Sequence, residues 1–261
     1  LSWIDEKAHA ELARVRLARE KQVYPYFREF QSGGLHTQID GKPVINFSSN
    51  DYLGLTNHPK VKEAAKAAVD KYACGLSSSR VQATTTEHVA LERRFAKWFG
   101  FDRCLLFTTG YQAMLGALVS LADKDTTLVL DAYSHACILD GTFLAAGVPK
   151  NGPEVRFFNH NSAKSLERIL STRERKNALV VVEGVYSLDG DTAHLDKFVE
   201  ICAKYDAVLV VDDAHGTGTL GTRGTGILEA MGLQGKVPVV ISTLSKTFGG
   251  IGGILLGSGE V

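Results

Sequence analysis

From residue 103 onward, short apolar runs alternate with segments of helical periodicity, and this alternation admits few architectures. Strands separated by helices pair side by side in a mainly parallel sheet, with the helices packed on its faces. The apolar runs predict strands at 104–107, 127–131, 155–158, 178–183, 207–211 and 237–242. Helices are expected between most of them, at about 111–121, 136–146, 162–172 and 195–205, and 254–256 reads as one more strand. The fold class is therefore α/β. Ligands of open sheets of this kind bind at the carboxyl ends of the strands. The residues there are chemically rich: Thr109-Gly110-Tyr111, Ser134-His135, Ser187, Asp212, His215 and Lys246.

The chain ahead of the sheet is of a different kind. Ile4, Ala8, Leu12 and Val15 recur at helical spacing among charged residues, which predicts an amphipathic helix over about the first twenty residues, with an apolar stripe that needs a surface to cover it. Asp40-Gly41 lies between 37–39 and 44–47 as a two-residue hairpin turn. Asn50-Asp51-Tyr52-Leu53-Gly54-Leu55 is a polar and aromatic loop. Pro59, favoured in a first helical turn, opens a helix to about Tyr72, and another runs from about Glu87 to Phe99. Residues 1–45 are thus set apart as an amino-terminal segment from a large domain over 46–261.

Charge and cysteine content narrow the function classes. Lys+Arg and Asp+Glu number 29 each, a balance that offers no footprint for nucleic acid and no electrostatic anchor for an acidic membrane. Cys74, Cys104, Cys137 and Cys202 are far apart with no C-x-x-C pair, so neither a zinc site nor a disulfide framework is indicated, and no metal is expected. A reducing, cytoplasmic setting is the expectation. No apolar run approaches membrane-spanning length, and charges stand where a signal peptide needs an apolar core.

Two glycine-rich segments remain to be weighed. Gly216-Thr217-Gly218-Thr219-Leu220-Gly221 is a literal G-x-G-x-x-G, but Thr222, Arg223, Gly224, Thr225 and Gly226 follow it where a dinucleotide site needs a helix, so it reads as loop. In Ser242-Thr243-Leu244-Ser245-Lys246-Thr247-Phe248-Gly249-Gly250 an apolar run ends in hydroxyls, one lysine and glycines. A lysine stripped of water there favours its neutral amine, the form that attacks an aldehyde; a solvated loop lysine is the alternative. The run 208–211 delivers Asp212 to a strand end, and a carboxylate so placed either keeps a heteroaromatic nitrogen protonated or caps the next turn.

Asp212, His215, Lys246 and the segment 108–113 together resemble the pyridoxal-phosphate enzymes of the aspartate-aminotransferase fold (fold type I), and more narrowly the α-oxoamine synthases. The resemblance includes 50–55, Ser134-His135-Ala136, Glu183-Gly184-Val185-Tyr186-Ser187, Asp189-Gly190-Asp191, 212–218 and 243–246, in the family's order. It implies that Lys246 holds pyridoxal 5'-phosphate covalently and that Asp212 pairs with the ring nitrogen. His135 would stack on the ring, Ser187 and His215 would lie near its phenolic oxygen, and Gly110, Tyr111 and Thr243 would reach the phosphate. Asn50 would help place a substrate carboxylate. The implied reaction is a decarboxylative condensation of an amino acid with an acyl thioester, in a homodimer. The segments 134–136 and 214–218 resemble most the branch that joins L-alanine to a pimeloyl thioester, with serine and a long-chain acyl group second. An aminotransferase and a non-catalytic relative also stay open.

The sequence departs from the family pattern in two places. The segment 79–88 lacks the family's glycine between Ser79-Arg80 and His88, which predicts a remodelled loop. The family also continues into a smaller carboxy-terminal domain, whereas this sequence stops at Val261, so it is expected to be a fragment that leaves apolar surface exposed.

Overall fold

The computed structural model of the chain describes residues 2–24, 29–147 and 152–260. It divides into two compact units, Leu1–Ser48 and Ser49–Val261.

In the first unit, helix α1 (Trp3–Glu20) starts at a capping box in which Ser2 and Asp5 satisfy each other's backbone N–H groups. The expected helix forms, but of the expected apolar stripe Ile4, Ala8 and Leu12 are exposed and Val15 is half-buried. Strands β1 (His36–Ile39) and β2 (Lys42–Ile45) pair antiparallel with Ile39 opposite Lys42, which leaves Asp40 and Gly41 alone in the turn. Both take left-handed φ angles, 50° and 73°, as the twist-matched two-residue hairpin requires.

The second unit begins with the 50–55 loop and two helices. Helix α2 (Pro59–Tyr72) has its proline in the first turn and is capped by His58, while α3 (Thr86–Phe99) is capped by Thr85 and ended by left-handed Gly100. Between them the 79–88 segment is tied down by Arg80, whose guanidinium donates to the Leu106 carbonyl and to Glu92, both at 2.8 Å.

The sheet follows. Strands β3 (Arg103–Phe107), β4 (Thr126–Asp131), β5 (Glu154–Phe158), β6 (Asn177–Glu183), β7 (Val208–Asp212), β8 (Val239–Thr243) and β9 (Gly253–Gly257) pair in the order β3-β9-β8-β7-β6-β4-β5. The pairs among β4 to β8 are parallel, and β9 runs antiparallel to both β8 and β3, so β3 points the same way as β8. Helices α4 (Gly110–Leu121), α5 (Ala136–Ala146), α6 (Ala163–Ser171) and α7 (Leu195–Lys204) lie between strands as expected; the four-residue α8 (Ile227–Ala230) is too short to leave a periodic signal. Strands β7 and β8 end one residue later than the apolar runs predict, at the polar residues Asp212 and Thr243. Backbone pairing continues there after hydrophobicity stops.

Alternate residues of each strand feed two cores. On one face Leu128, Leu130 and Val181 meet Met114, Leu118 and Ile138 of α4 and α5. On the other, Val129, Val180 and Val182 meet Phe95, Leu166 and Phe198 of α3, α6 and α7. Each fully buried Leu, Phe or Met contributes about 1.5–3 kcal/mol, so this two-sided packing holds the strand ends, and the polar groups on them, in place. Leu105, Phe143, Leu144 and Phe157 remain exposed.

Candidate active site

A cavity of about 210 Å³ opens at the carboxyl ends of β4, β6, β7 and β8. Lys246 enters it from the turn after β8. Its Nζ lies 2.7 Å from His215 Nε2. Burial pulls the lysine pKa below its ordinary value, against the opposing charges of Asp212 and Glu183. The amine is therefore more available as a nucleophile than a surface lysine.

Asp212 closes β7 and is 8% exposed. Its Oδ1 accepts the Ala214 N–H at 3.1 Å, and its Oδ2 accepts the Cys137 thiol at 3.8 Å. Burial raises its pKa, and the neighbouring Lys246 charge opposes that rise. Beside it on the sheet, in register, stands Glu183 at the end of β6. Glu183 is 3% exposed, and burial together with the Asp212 charge pushes its pKa up to about 7. Its carboxylate accepts the backbone N–H of Ser187 at 3.3 Å.

His135 is the N-cap of α5: its Nδ1 accepts the Cys137 N–H at 3.2 Å, which holds the ring at the cavity wall. The floor is the amino end of α4, where Thr109 caps the helix by accepting the Gln112 N–H at 3.0 Å. A Cβ on Gly110 would lie 2.9 Å from the Thr243 Cβ, so glycine is what lets this helix end approach β8. Free N–H groups at a helix start, with the Thr243 and Ser245 hydroxyls 2.8 Å apart beside them, form an anion cradle. Tyr111 donates its hydroxyl to Asp140, and its ring meets His135 edge-on.

His215 joins Lys246 on one side and Tyr52 on the other, with Nδ1 2.6 Å from the Tyr52 hydroxyl. Burial and the Lys246 charge depress its pKa to about 4, so the imidazole is neutral at neutral pH.

Of the residues expected from sequence, the cavity brings together Gly110, Tyr111, His135, Asp212, His215, Thr243 and Lys246. Asn50 and Ser187 do not line it. Asn50 reaches it through the Tyr52 hydroxyl, 3.2 Å from its Oδ1, and Ser187 is exposed in the loop after β6, tied by its backbone to Glu183. Sequence reasoning passed over Glu183, Cys137 and Tyr52 as site residues. Glu183 had a signal, since it ends an apolar strand just as Asp212 does.

The donor set suits pyridoxal phosphate. A desolvated amine, a buried carboxylate, an imidazole at the wall and a helix-start anion cradle face one space of small-molecule size. Among the described residues, His160, Asp189 and Asp191 could also gather a cation, but both ring nitrogens of His160 are already engaged, by Asp131 at 2.9 Å and Asp191 at 3.1 Å. All four cysteines are free thiols, and among the described residues no helix is long and apolar enough to cross a membrane.

Residues 42–261 match the family described as aminotransferase class I and II. The chain is 39% identical over 245 residues to an 8-amino-7-oxononanoate synthase of Coprothermobacter proteolyticus, covering 92% of this chain and 61% of that protein. It is 37% identical over 246 residues to a serine palmitoyltransferase of Sphingobacterium spiritivorum, covering 93% of this chain and 60% of that protein. Among solved structures it resembles one described as SPT with PLP internal aldimine, with a TM-score of 0.91 at 32% identity, covering 99% of this chain and 65% of that one. The chain thus spans about 60% of the length of the curated relatives it matches.

Proposed function

The chain belongs to the aminotransferase class I and II family, and we propose that within it this is a pyridoxal 5'-phosphate-dependent α-oxoamine synthase, an acyltransferase that condenses an amino acid with an acyl thioester. The observation that carries this reading is the convergence of Lys246, Asp212, His135 and the α4 amino end on one cavity. Names of relatives support it, since synthases of this kind match over most of the chain.

When bound, the cofactor supplies an electron sink for the substrate Cα. The residues of the chain do the rest. Lys246 would hold the cofactor, and its amine would be the general base for the substrate Cα proton. Asp212 would pair with the cofactor's ring nitrogen and keep its proton in place by charge. His135 would hold the cofactor ring in plane and so orient the substrate. The N–H groups at Gly110 and Tyr111, with the Thr243 hydroxyl, would bind the phosphate. His215 and the more distant Ser187 serve the phenolic oxygen, and Asn50 the substrate carboxylate.

L-alanine and a pimeloyl thioester are the favoured pair, in line with the match to 8-amino-7-oxononanoate synthase; serine and a long-chain acyl thioester are second, in line with the match to serine palmitoyltransferase. The reading also takes 46–261 as the large domain, near the compact unit Ser49–Val261, and the whole protein as a homodimer; balanced charge with free thiols suits the cytoplasm. The deciding assay gives the full-length protein alanine, serine or glycine with several acyl thioesters and measures thiol release and amino-ketone mass. Amino-group exchange with a 2-oxo acid in place of thiol release would make it an aminotransferase, and neither activity with cofactor bound would make it a non-catalytic relative.

A further inference from the structure

Tyr52 has no part in the proposed reaction, yet only His215 separates it from the lysine. Its hydroxyl lies 2.6 Å from His215 Nδ1, and His215 Nε2 lies 2.7 Å from Lys246 Nζ, which links three side chains from three separate segments in a continuous chain of hydrogen bonds. The outer end of this chain is open. Tyr52 is 42% exposed, and Asn50 Oδ1 stands 3.2 Å from its hydroxyl.

The geometry points to a proton relay, Lys246 to His215 to Tyr52 to solvent, that turns the lysine into a free amine before it captures the cofactor aldehyde. The proposal rests on the reading of Lys246 as the cofactor lysine.

The chain can be drawn in two directions, and each satisfies every member. With the lysine charged, Nζ donates to Nε2, Nδ1–H donates to the phenol oxygen, and the phenol donates to Asn50 Oδ1. With the lysine neutral, the phenol donates to Nδ1 and Nε2–H donates to the Nζ lone pair. In passing from the first to the second, the lysine proton moves to Nε2, the Nδ1 proton moves to the phenol oxygen, and the phenol proton leaves to water. His215 and Tyr52 end as neutral as they began, and one proton has gone from Lys246 to solvent. An imidazole is suited to this because its two nitrogens exchange donor and acceptor roles.

The charges around the relay agree with its direction. Lys246 faces Asp212 and Glu183, which favour its charged form, with Cys137 beyond, and burial outweighs them. His215 faces Lys246 and His135, and stays neutral because burial, and after it the Lys246 charge, disfavours a protonated imidazole there. Burial also raises the Tyr52 pKa, so the phenol keeps a proton to pass on.

Close backbone approach is what brings the two ends together. Gly249, three residues after Lys246, has φ +63°, and a Cβ there would lie 2.5 Å from the Thr56 backbone N. The glycine turn is therefore seated directly against the loop that presents Tyr52.

The test uses full-length apo protein and pyridoxal phosphate as probe. The rate of adduct formation at Lys246, trapped with borohydride and placed by peptide mapping, is followed against pH and buffer concentration. Tyr52→Phe is expected to slow capture on the order of tenfold, less than the ~100-fold that a whole positioned proton-transfer group contributes, because water still reaches Nδ1. Imidazole buffer should restore the rate in Tyr52→Phe and leave the unaltered protein unaffected. Gly249→Ala, which pushes the Tyr52 loop away, should behave as Tyr52→Phe does. An unchanged rate, or a slowed rate with no response to imidazole, overturns the relay while the lysine assignment stands; an adduct on another lysine overturns both. Should both variants fail to fold, the unaltered protein decides in mixtures of H2O and D2O: a curved dependence of rate on deuterium content supports several protons moving together, and a linear one overturns the relay.

Discussion

Two glycine-rich turns follow neighbouring strands of the same sheet and serve opposite ends. After β7, residues 216–226 close around Asp213, whose Oδ2 accepts the Ile227 N–H at 3.1 Å and the Thr217 hydroxyl at 3.3 Å. A Cβ on Gly226 would fall 1.7 Å from that oxygen, and one on Gly216 would fall 2.2 Å from Oδ1. After β8, the glycines near 249–252 bring the backbone against another loop and leave the Lys246 amine facing the cavity. Glycine content reports only that something comes close. In one turn the close neighbour is a buried acid and the outcome is architecture; in the other it is a loop and the outcome is an open chemical site.

The contrast breaks most completely at Lys246. Lys246→Ala should abolish the borohydride-trapped cofactor adduct and the condensation together, with thermal stability kept, as mass spectrometry and a melting curve will tell; an intact adduct in the variant places the chemistry elsewhere.

Asp212 and Asp213 separate the turns by a single residue. In the full-length enzyme Asp212→Asn keeps the Ala214 contact but removes the charge proposed to pair with the ring nitrogen, so exchange of the substrate α-proton with solvent should slow on the order of 10²–10³, the range typical for loss of one electrostatic stabiliser. Proton NMR of the amino acid in D2O measures it, and normal exchange would refute the role.

In the other turn the cost appears in stability rather than in chemistry. Gly226 has φ +96° and no room for a side chain, so Gly226→Ala should cost about 2–3 kcal/mol, a fall in Tm of roughly 5–10 °C for a chain of this size. Calorimetry reads this directly. A fall of that size should be absent for Gly232→Ala beyond its own backbone strain, since nothing lies within 4 Å of a Cβ there.

The same turn sharpens the comparison through pH. Burial pushes the Asp213 carboxyl up to about 8 from 3.8, more than its hydrogen-bond donors pull it down. The folded chain then binds a proton that the unfolded chain has released, so this group favours folding most below pH ~4 and its contribution declines as pH rises toward 8. Asp213→Asn should flatten that part of the stability profile and be close to neutral in acid. Urea unfolding at several pH values tests it, and an unchanged slope would mean that Asp213 is ionised in the fold.

Much of this protein was readable one segment at a time. Pro59 at a helix start and Asp40-Gly41 as a hairpin turn each act through neighbours a few residues away. The apolar runs marked the strands to within about a residue or two. What escaped was the environment of the polar strand ends. Asp212 and Asp213 are adjacent and chemically alike, and only the side on which each emerges from β7 separates a carboxylate lining the cavity from one sealed under a turn. Glu183 was passed over because its raised pKa comes from burial and from Asp212, a residue of the next strand.

The amino-acid sequence by itself determined the alternation of strands and helices, the turn chemistry and the supply of one lysine, two adjacent acids and two histidines at strand ends, because propensity, capping and hydrophobic periodicity are local properties. The tertiary structure alone decided which of these groups meet. Tyr52 and His215 are 163 residues apart, and Cys137 and Asp212 are 75 apart, yet each pair is in contact. Such contacts follow from the order in which strands join the sheet and from how closely glycine backbones allow loops to approach. The strength of an amine or a carboxylate then follows from the water these contacts exclude.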